Sequence, residues 1–183
     1  MGVTIHYKLG QDVKWVKPML DDAEKVASYT GRKAKEDKVN FEIKRISDNK
    51  LIVNIGNCES LVFSFKPMSE YKKLGEKSWN YQNEVLKDLV SLDDDNMAWT
   101  AEFVKTQFCD NLEEHVWVAE LIRFVAGRCR VADVYDEGDY YHSAIVEDAK
   151  NAINENGALI GKVANQLKDI GYDDVRVAEM GIR

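Results

Sequence analysis

The sequence predicts an α+β fold, a mixed and mainly antiparallel sheet with helices packed on one face, and three observations carry that prediction. Val3, Ile5 and Tyr7 alternate with Thr4, His6 and Lys8, the period-two pattern of a half-buried strand. Val16, Met19, Ala23, Val26 and Thr30 then recur at helical spacing. Three short strand patterns follow, Val39–Ile46, Lys50–Ile55 and Ser60–Phe65, separated by the turn residues Ser47-Asp48-Asn49 and Gly56-Asn57. A β-α-β-β-β opening of this kind suits an antiparallel meander and not a doubly wound parallel sheet.

Each later element rests on its own signal. Pro18 fits the first helix only if it lies in the first turn, and Gly31 stands where that helix nears its end. Val85, Leu86, Leu89 and Val90 suggest a helix over Tyr81–Leu92, before an acidic loop at Asp93–Asn96. Trp99–Phe108 reads as a strand. Asp110, with Glu113 three residues on, forms a capping-box pattern for a helix carrying Leu112, Val116, Ala119 and Ile122, which Gly127 closes. Arg130–Tyr135 is another strand, leading into Asp136-Glu137-Gly138-Asp139. Ile145, Ala149, Ile153, Ile160, Val163 and Leu167 fit one long helix or two consecutive ones with a break near Asn156, because Gly157 and Gly161 weaken the middle. Val175–Ala178 suggests an edge strand. The expected order is β-α-β-β-β-(α)-β-α-β-α, and with no repeat or low-complexity linker, residues 1–183 read as one domain.

Composition bounds the function. The chain has 183 residues, 45% of them hydrophobic and 31% charged, enough to bury a core without disulfides or a structural metal. Its 25 basic residues face 32 acidic ones, a net charge of −7 that opposes nucleic acid. The one basic stretch, Arg32, Lys33, Lys35 and Lys38, is interleaved with Glu36 and Asp37 and reads as a solvated helix end. Cys58, Cys109 and Cys129 make no C-x-x-C pair and read as free, mostly buried thiols. With neither a signal-like apolar core near Met1 nor an apolar run of spanning length, the expectation is a cytoplasmic protein without membrane or nucleic-acid partners.

No dinucleotide fingerprint, zinc-protease helix, nucleophile elbow or EF-hand spacing is present, and the sequence names no cofactor. Gly157–Val163 imitates a phosphate loop, but its glycines are one residue too close and Val163 stands where a hydroxyl is needed. Chemistry concentrates elsewhere. Asp133–His142, DVYDEGDYYH, sets Asp136, Glu137 and Asp139 on a strand exit beside Tyr140 and Tyr141. Neighbouring carboxylates can be driven to different proton affinities, or can hold a hard cation. Alternation in Glu102–Gln107 puts Lys105 and Gln107 on one face, where they can share an anionic oxygen. His115 shares the stripe of Leu112, Ala119 and Ile122, the usual setting of a satisfied core histidine. His6 lies on the face of its strand opposite Ile5 and Tyr7, and His142 precedes a helix cap. Sequential elements tend to be neighbours, so these features are expected to converge at one end of the sheet.

Val3-Thr-Ile-His6-Tyr7, Val104-Lys-Thr-Gln107-Phe108 before a His-bearing helix, Asp136-Glu-Gly138 followed by Tyr140, and Asn57-Cys58-Glu59-Ser60-Leu61 resemble a family of small prokaryotic proteins without an assigned activity. The likeness covers residues 3 to 141 in patches. It implies which residues matter and implies no substrate or cofactor. Asp139 stands where the family pattern has glycine, and Tyr140-Tyr141 where it has Tyr-Trp.

The leading expectation is a protein that binds a small polar or anionic ligand, or a protein partner, through His6, Lys105, Gln107, His115, Asp136, Glu137 and Tyr140. The alternative is a hydrolase using His115 and Glu137 as acid and base or as metal ligands. The binding reading requires Lys105, Gln107, His115 and the Asp136–Tyr140 loop to share one pocket.

Overall fold

Strand β1 (Thr4–Asp12) runs without a loop into helix α1 (Val13–Glu36), and this junction sets the geometry of the first half of the chain. The computed structural model describes residues 3–67, 69–70, 96–106 and 112–169. The Asp12 side chain makes no cap hydrogen bond; instead the Val13 N–H donates to the Asn96 carbonyl at 2.7 Å, satisfying one of the orphan donors of the first turn. Pro18 is the sixth helical residue, not a first-turn one, so α1 forgoes the hydrogen bond its N–H would give the Lys14 carbonyl. Nor does the helix stop at Gly31. Gly31 instead serves packing, since a Cβ there would lie 2.7 Å from the Phe41 ring, and the helix ends where Lys38 takes a left-handed φ of 60° and the Val39 N–H reaches back to the Ala34 carbonyl.

Strands β2 (Phe41–Ser47), β3 (Lys50–Ile55) and β4 (Leu61–Ser64) form an antiparallel sheet in that order. Two-residue β5 (Lys66–Pro67) belongs to a second sheet with β6 (Met97–Lys105), β1 and β7 (Val131–Asp136), ordered β5-β6-β1-β7 and antiparallel throughout. The α+β class and the order of elements follow the sequence. The strands divide into two sheets, and the chain crosses between them at Phe65, which joins β4 to β5. Asn49 pins that crossing: its carbonyl accepts the Phe65 N–H and its side-chain amide donates to the Phe65 carbonyl.

Hydroxyls from one sheet close the exposed edge of the other. Tyr7 of β1 donates its hydroxyl to the Val62 carbonyl at 2.6 Å and accepts the Val62 N–H at 3.3 Å. One strand over, Thr100 Oγ1 accepts the Ser64 N–H. The β4 edge thus keeps its backbone groups satisfied without a further strand.

Helix α2 (Leu112–Ala126) ends at Gly127, as the sequence suggests; short α3 (Tyr140–Ser143) and long α4 (Val146–Asp169) follow. Helix α4 runs unbroken past Gly157 and Gly161. One core cluster draws on the inner faces of both described sheets and on the four described helices, from Ile5, Tyr7 and Leu9 through Leu20, Val53, Phe63, Val104 and Ile122 to Ala149. At roughly 1.5–3 kcal/mol for each large apolar side chain removed from water, that cluster is the main source of stability. Cys129 is a free thiol and burial pushes it up to about 12; Cys58 is disulfide-bonded, unlike the free thiols expected. Among the described residues no helix is long and apolar enough to cross a membrane. The expected helix at Tyr81–Leu92, the Asp110 cap and the strand at Val175–Ala178 lie outside the described residues.

Replacing exposed Pro18 by alanine restores the missing helical donor. Urea unfolding of Pro18→Ala is expected to show a gain of about 1–2 kcal/mol, less than the full proline penalty because the unfolded chain also gains freedom.

Candidate functional site

Strand register decides which candidate residues meet. Ile5 of β1 pairs with Val104 and with Asp136, and this rung faces the core; His6 pairs with Phe103 and Tyr135, and that rung faces outward. Thr4 pairs with Lys105 on the outward side. The candidates therefore gather at one end of the four-stranded sheet but on both of its faces.

The inner group is a buried polar chain. Thr106 Oγ1 lies 2.7 Å from His115 Nδ1, and the far ring nitrogen, Nε2, lies 3.4 Å from Asp136 Oδ2. Thr106 is 1% exposed, His115 0% and Asp136 4%. The Asp136 carboxylate accepts the Gly138 N–H at 2.8 Å and the Tyr141 N–H at 2.9 Å, so it also folds the loop that follows β7. Nε2 is within ion-pair distance of Asp136 but lacks the alignment of a formed hydrogen bond. Burial raises the proton affinity of Asp136; the His115 contact and charge and the two backbone donors outweigh it, holding the carboxyl below its ordinary range. Tyr140 packs edge-on to the His115 ring at 6.4 Å and gives its hydroxyl to Glu120. Arg123 holds α3 in place through the Tyr140 and Tyr141 carbonyls.

Two glycines make room for this group. A Cβ at Gly138 would lie 2.8 Å from both Cε1 and Nε2 of His115, so the glycine of the DEG loop serves the close approach of a buried ring. Asp139, not Gly138, takes the left-handed turn, with φ 59°. Gly56, at φ +53°, would set a Cβ 2.1 Å from the Glu114 carboxylate, which is itself 1% exposed. Glu114 was not legible as a site residue, since a glutamate beside a histidine in a helix carries no periodic mark of burial; alternation sets Thr106 on the face of Val104, but nothing in the sequence marks it as the partner of His115.

The outer group is open. Phe103 is 44% exposed and Tyr135 62%, with His6 recessed between them at ring-centroid distances of 6.0 and 6.2 Å. Further along the same face Trp99 lies across Gly10 and is buried, 1% exposed. Around the open rung stand Lys8 with Asp133 at 3.4 Å, Lys105 with Glu59 at 3.7 Å, and Glu137, whose Oε2 accepts the Thr4 N–H while Oε1 lies 3.9 Å from His6 Nε2. Gln107 lies outside the described residues. His6, Lys105 and Glu137 thus belong to the outer group, and His115, Asp136 and Tyr140 to the inner one, so the one pocket expected to join Lys105, His115 and the Asp136–Tyr140 loop is not formed, because strand alternation sends them to opposite faces. Phe103 and Tyr135 complete the outer row; their signal is the odd spacing from core-facing Val104 and Asp136. Among the described residues no group of three His, Cys, Asp or Glu side chains is placed to hold a metal ion.

Compared with known proteins, the chain matches no family model, no curated protein and no solved structure.

The inner group generates two expectations. Gly138→Ala forces the His115 ring from its place and should cost about 1–3 kcal/mol in urea unfolding. Asp136, held below its ordinary value, binds its proton less readily folded than unfolded, so it contributes stability above the ordinary carboxylate range that is lost as pH falls through the lowered value. Asp136→Asn is accordingly expected to cost about 3–5 kcal/mol at neutral pH and to flatten the fall in stability on acidification below about pH 4. An unchanged acid slope would remove Asp136 from that role.

Proposed function

We propose that this protein binds a small polar ligand on the outer face of its four-stranded sheet, at the rung formed by Phe103, His6 and Tyr135. The observation that carries this reading is the exposure of two large rings at the two positions that flank His6 on its neighbouring strands, beside ion-paired side chains. A ring surface supplies contact area at low conformational cost, and the surrounding Lys8, Lys105, Asp133 and Glu137 supply orientation. The recessed His6 forms the floor between its two neighbours.

One observation favours a hydrolase instead: Thr106, His115 and Asp136 follow one another as hydroxyl, imidazole and carboxylate, the order of groups in nucleophilic catalysis. Against it, the hydroxyl and the ring are buried, at 1% and 0% exposure, and Glu137, the other residue such an enzyme would use, lies across the sheet from His115. The buried chain instead suits a role in fixing the loop whose next residue, Glu137, faces the outer surface.

The two readings separate in one experiment. Protein with resolved aromatic resonances is titrated with tetramethylammonium, benzoate and adenosine, and separately assayed for hydrolysis of p-nitrophenyl acetate. At least one probe is expected to shift the Phe103 and Tyr135 rings without shifting those of His115 and Tyr140, with no hydrolysis sensitive to His115→Gln. Probe-induced shifts confined to His115 and Tyr140, or turnover lost in His115→Gln, would reverse the assignment.

A further inference from the structure

Resting on the outer-face reading just given, we infer that the ligand is an organic cation, an ammonium group held against the faces of Phe103 and Tyr135 with Glu137 as its counter-charge. Two cations, Lys8 and Lys105, meet three carboxylates, Glu59, Asp133 and Glu137, on this surface. Among the described lysines and carboxylates of the patch there is one negative charge in excess. The excess has an address. Lys8 is matched by Asp133 and Lys105 by Glu59, whereas among the described residues no lysine or arginine pairs with Glu137.

Glu137 is also held in position. Its Oε2 accepts the Thr4 N–H at 2.9 Å and its own N–H donates to the Thr4 carbonyl, which leaves Oε1 at the rim beside His6. A carboxylate fixed by its backbone neighbours keeps its charge at one place without a further loss of rotamer freedom on binding.

The rings fit the same ligand. His6 lies 6.0 Å from Phe103 and 6.2 Å from Tyr135, less than the roughly 7 Å that a flat ring needs to slide between two others at van der Waals contact. A planar ligand cannot be sandwiched between adjacent members of the row. Phe103 and Tyr135 stand instead two strand spacings apart, about 9.6 Å, with His6 set back between them. A compact tetrahedral ammonium is small enough to lie at these exposed rings and meet a π face, where the ring quadrupole attracts it. Phe103 already takes a cation on the molecule itself: Lys105 Nζ stands 5.8 Å from its centroid. A bound anion would gain no such ring contact and would meet Glu137.

The test uses the whole chain and tetramethylammonium, benzoate and adenosine as probes, read by the ring resonances of Phe103 and Tyr135. Tetramethylammonium is expected to bind, and Glu137→Gln, which keeps the acceptor for the Thr4 N–H, should weaken it about threefold to tenfold. Tyr135→Leu, at a position 62% exposed where folding is not at stake, should weaken it similarly. Binding of tetramethylammonium that Glu137→Gln leaves unchanged overturns the inference. Benzoate or adenosine shifting these rings while tetramethylammonium does not overturns the ligand class and leaves the outer face as the binding surface. If no probe moves them, the inference and the reading beneath it fall together.

Discussion

The register of β1 is the constraint on which the rest depends. In the four-stranded sheet, among the described residues, it is the strand with a neighbour on each side along most of its length, β6 and β7, and each of its residues assigns a rung to one face or the other. A shift by a single residue would send Ile5, Tyr7 and Leu9 to solvent and His6 and Lys8 into the core, a change that burial of those large apolar side chains opposes strongly. The register is further pinned by Tyr7, whose hydroxyl reaches across to Val62 and ties the two sheets together. Once it is fixed, the aromatic row outside and the Asp136 rung inside follow from alternation alone.

The turn after β7 converts that alternation into chemistry on two faces. Asp136 is the last strand residue and faces in, toward His115; Glu137 follows it and faces out, toward His6. Each carboxylate also accepts backbone donors, Gly138 and Tyr141 for Asp136 and Thr4 for Glu137, so the loop is built from its own acids. The buried Thr106–His115–Asp136 chain joins the end of β6, the first turn of α2 and the end of β7. Its polar atoms are costly to bury, and their mutual contacts offset that cost only while all three elements keep their places.

Much of this was legible in the sequence, and the rest fails for identifiable reasons. Alternation in Val3–Lys8 and Glu102–Lys105 marks two central strands and correctly opposes His6 to Ile5, and Lys105 to Val104. The apolar stripe of Leu112, Ala119 and Ile122 marks His115 as a core residue. Convergence at one sheet end was also readable, since successive elements pack together. The split between faces was harder, because alternation does not say which strands share a sheet or in what register. The division into two sheets depends on the Phe65 crossing and on hydroxyls of Tyr7 and Thr100 reaching β4, contacts between residues far apart in the chain. Gly138 and Gly31 signal a turn or a helix end as readily as a close approach, and here each serves the latter, against His115 and Phe41. Pro18 misleads because tertiary packing of the long α1 overrides a local penalty.

Chemical access to the histidines measures the central division most directly. Diethylpyrocarbonate modification of the native protein, read residue by residue by mass spectrometry, compares His6 and exposed His142 with His115 under one condition. The structure requires His6 and His142 to react and His115 to stay protected until the protein is unfolded in urea. Modification of native His115 at a rate matching His6 would show that the inner chain is open to solvent, and would contradict the assignment of binding to the outer face and of framework to the inner one.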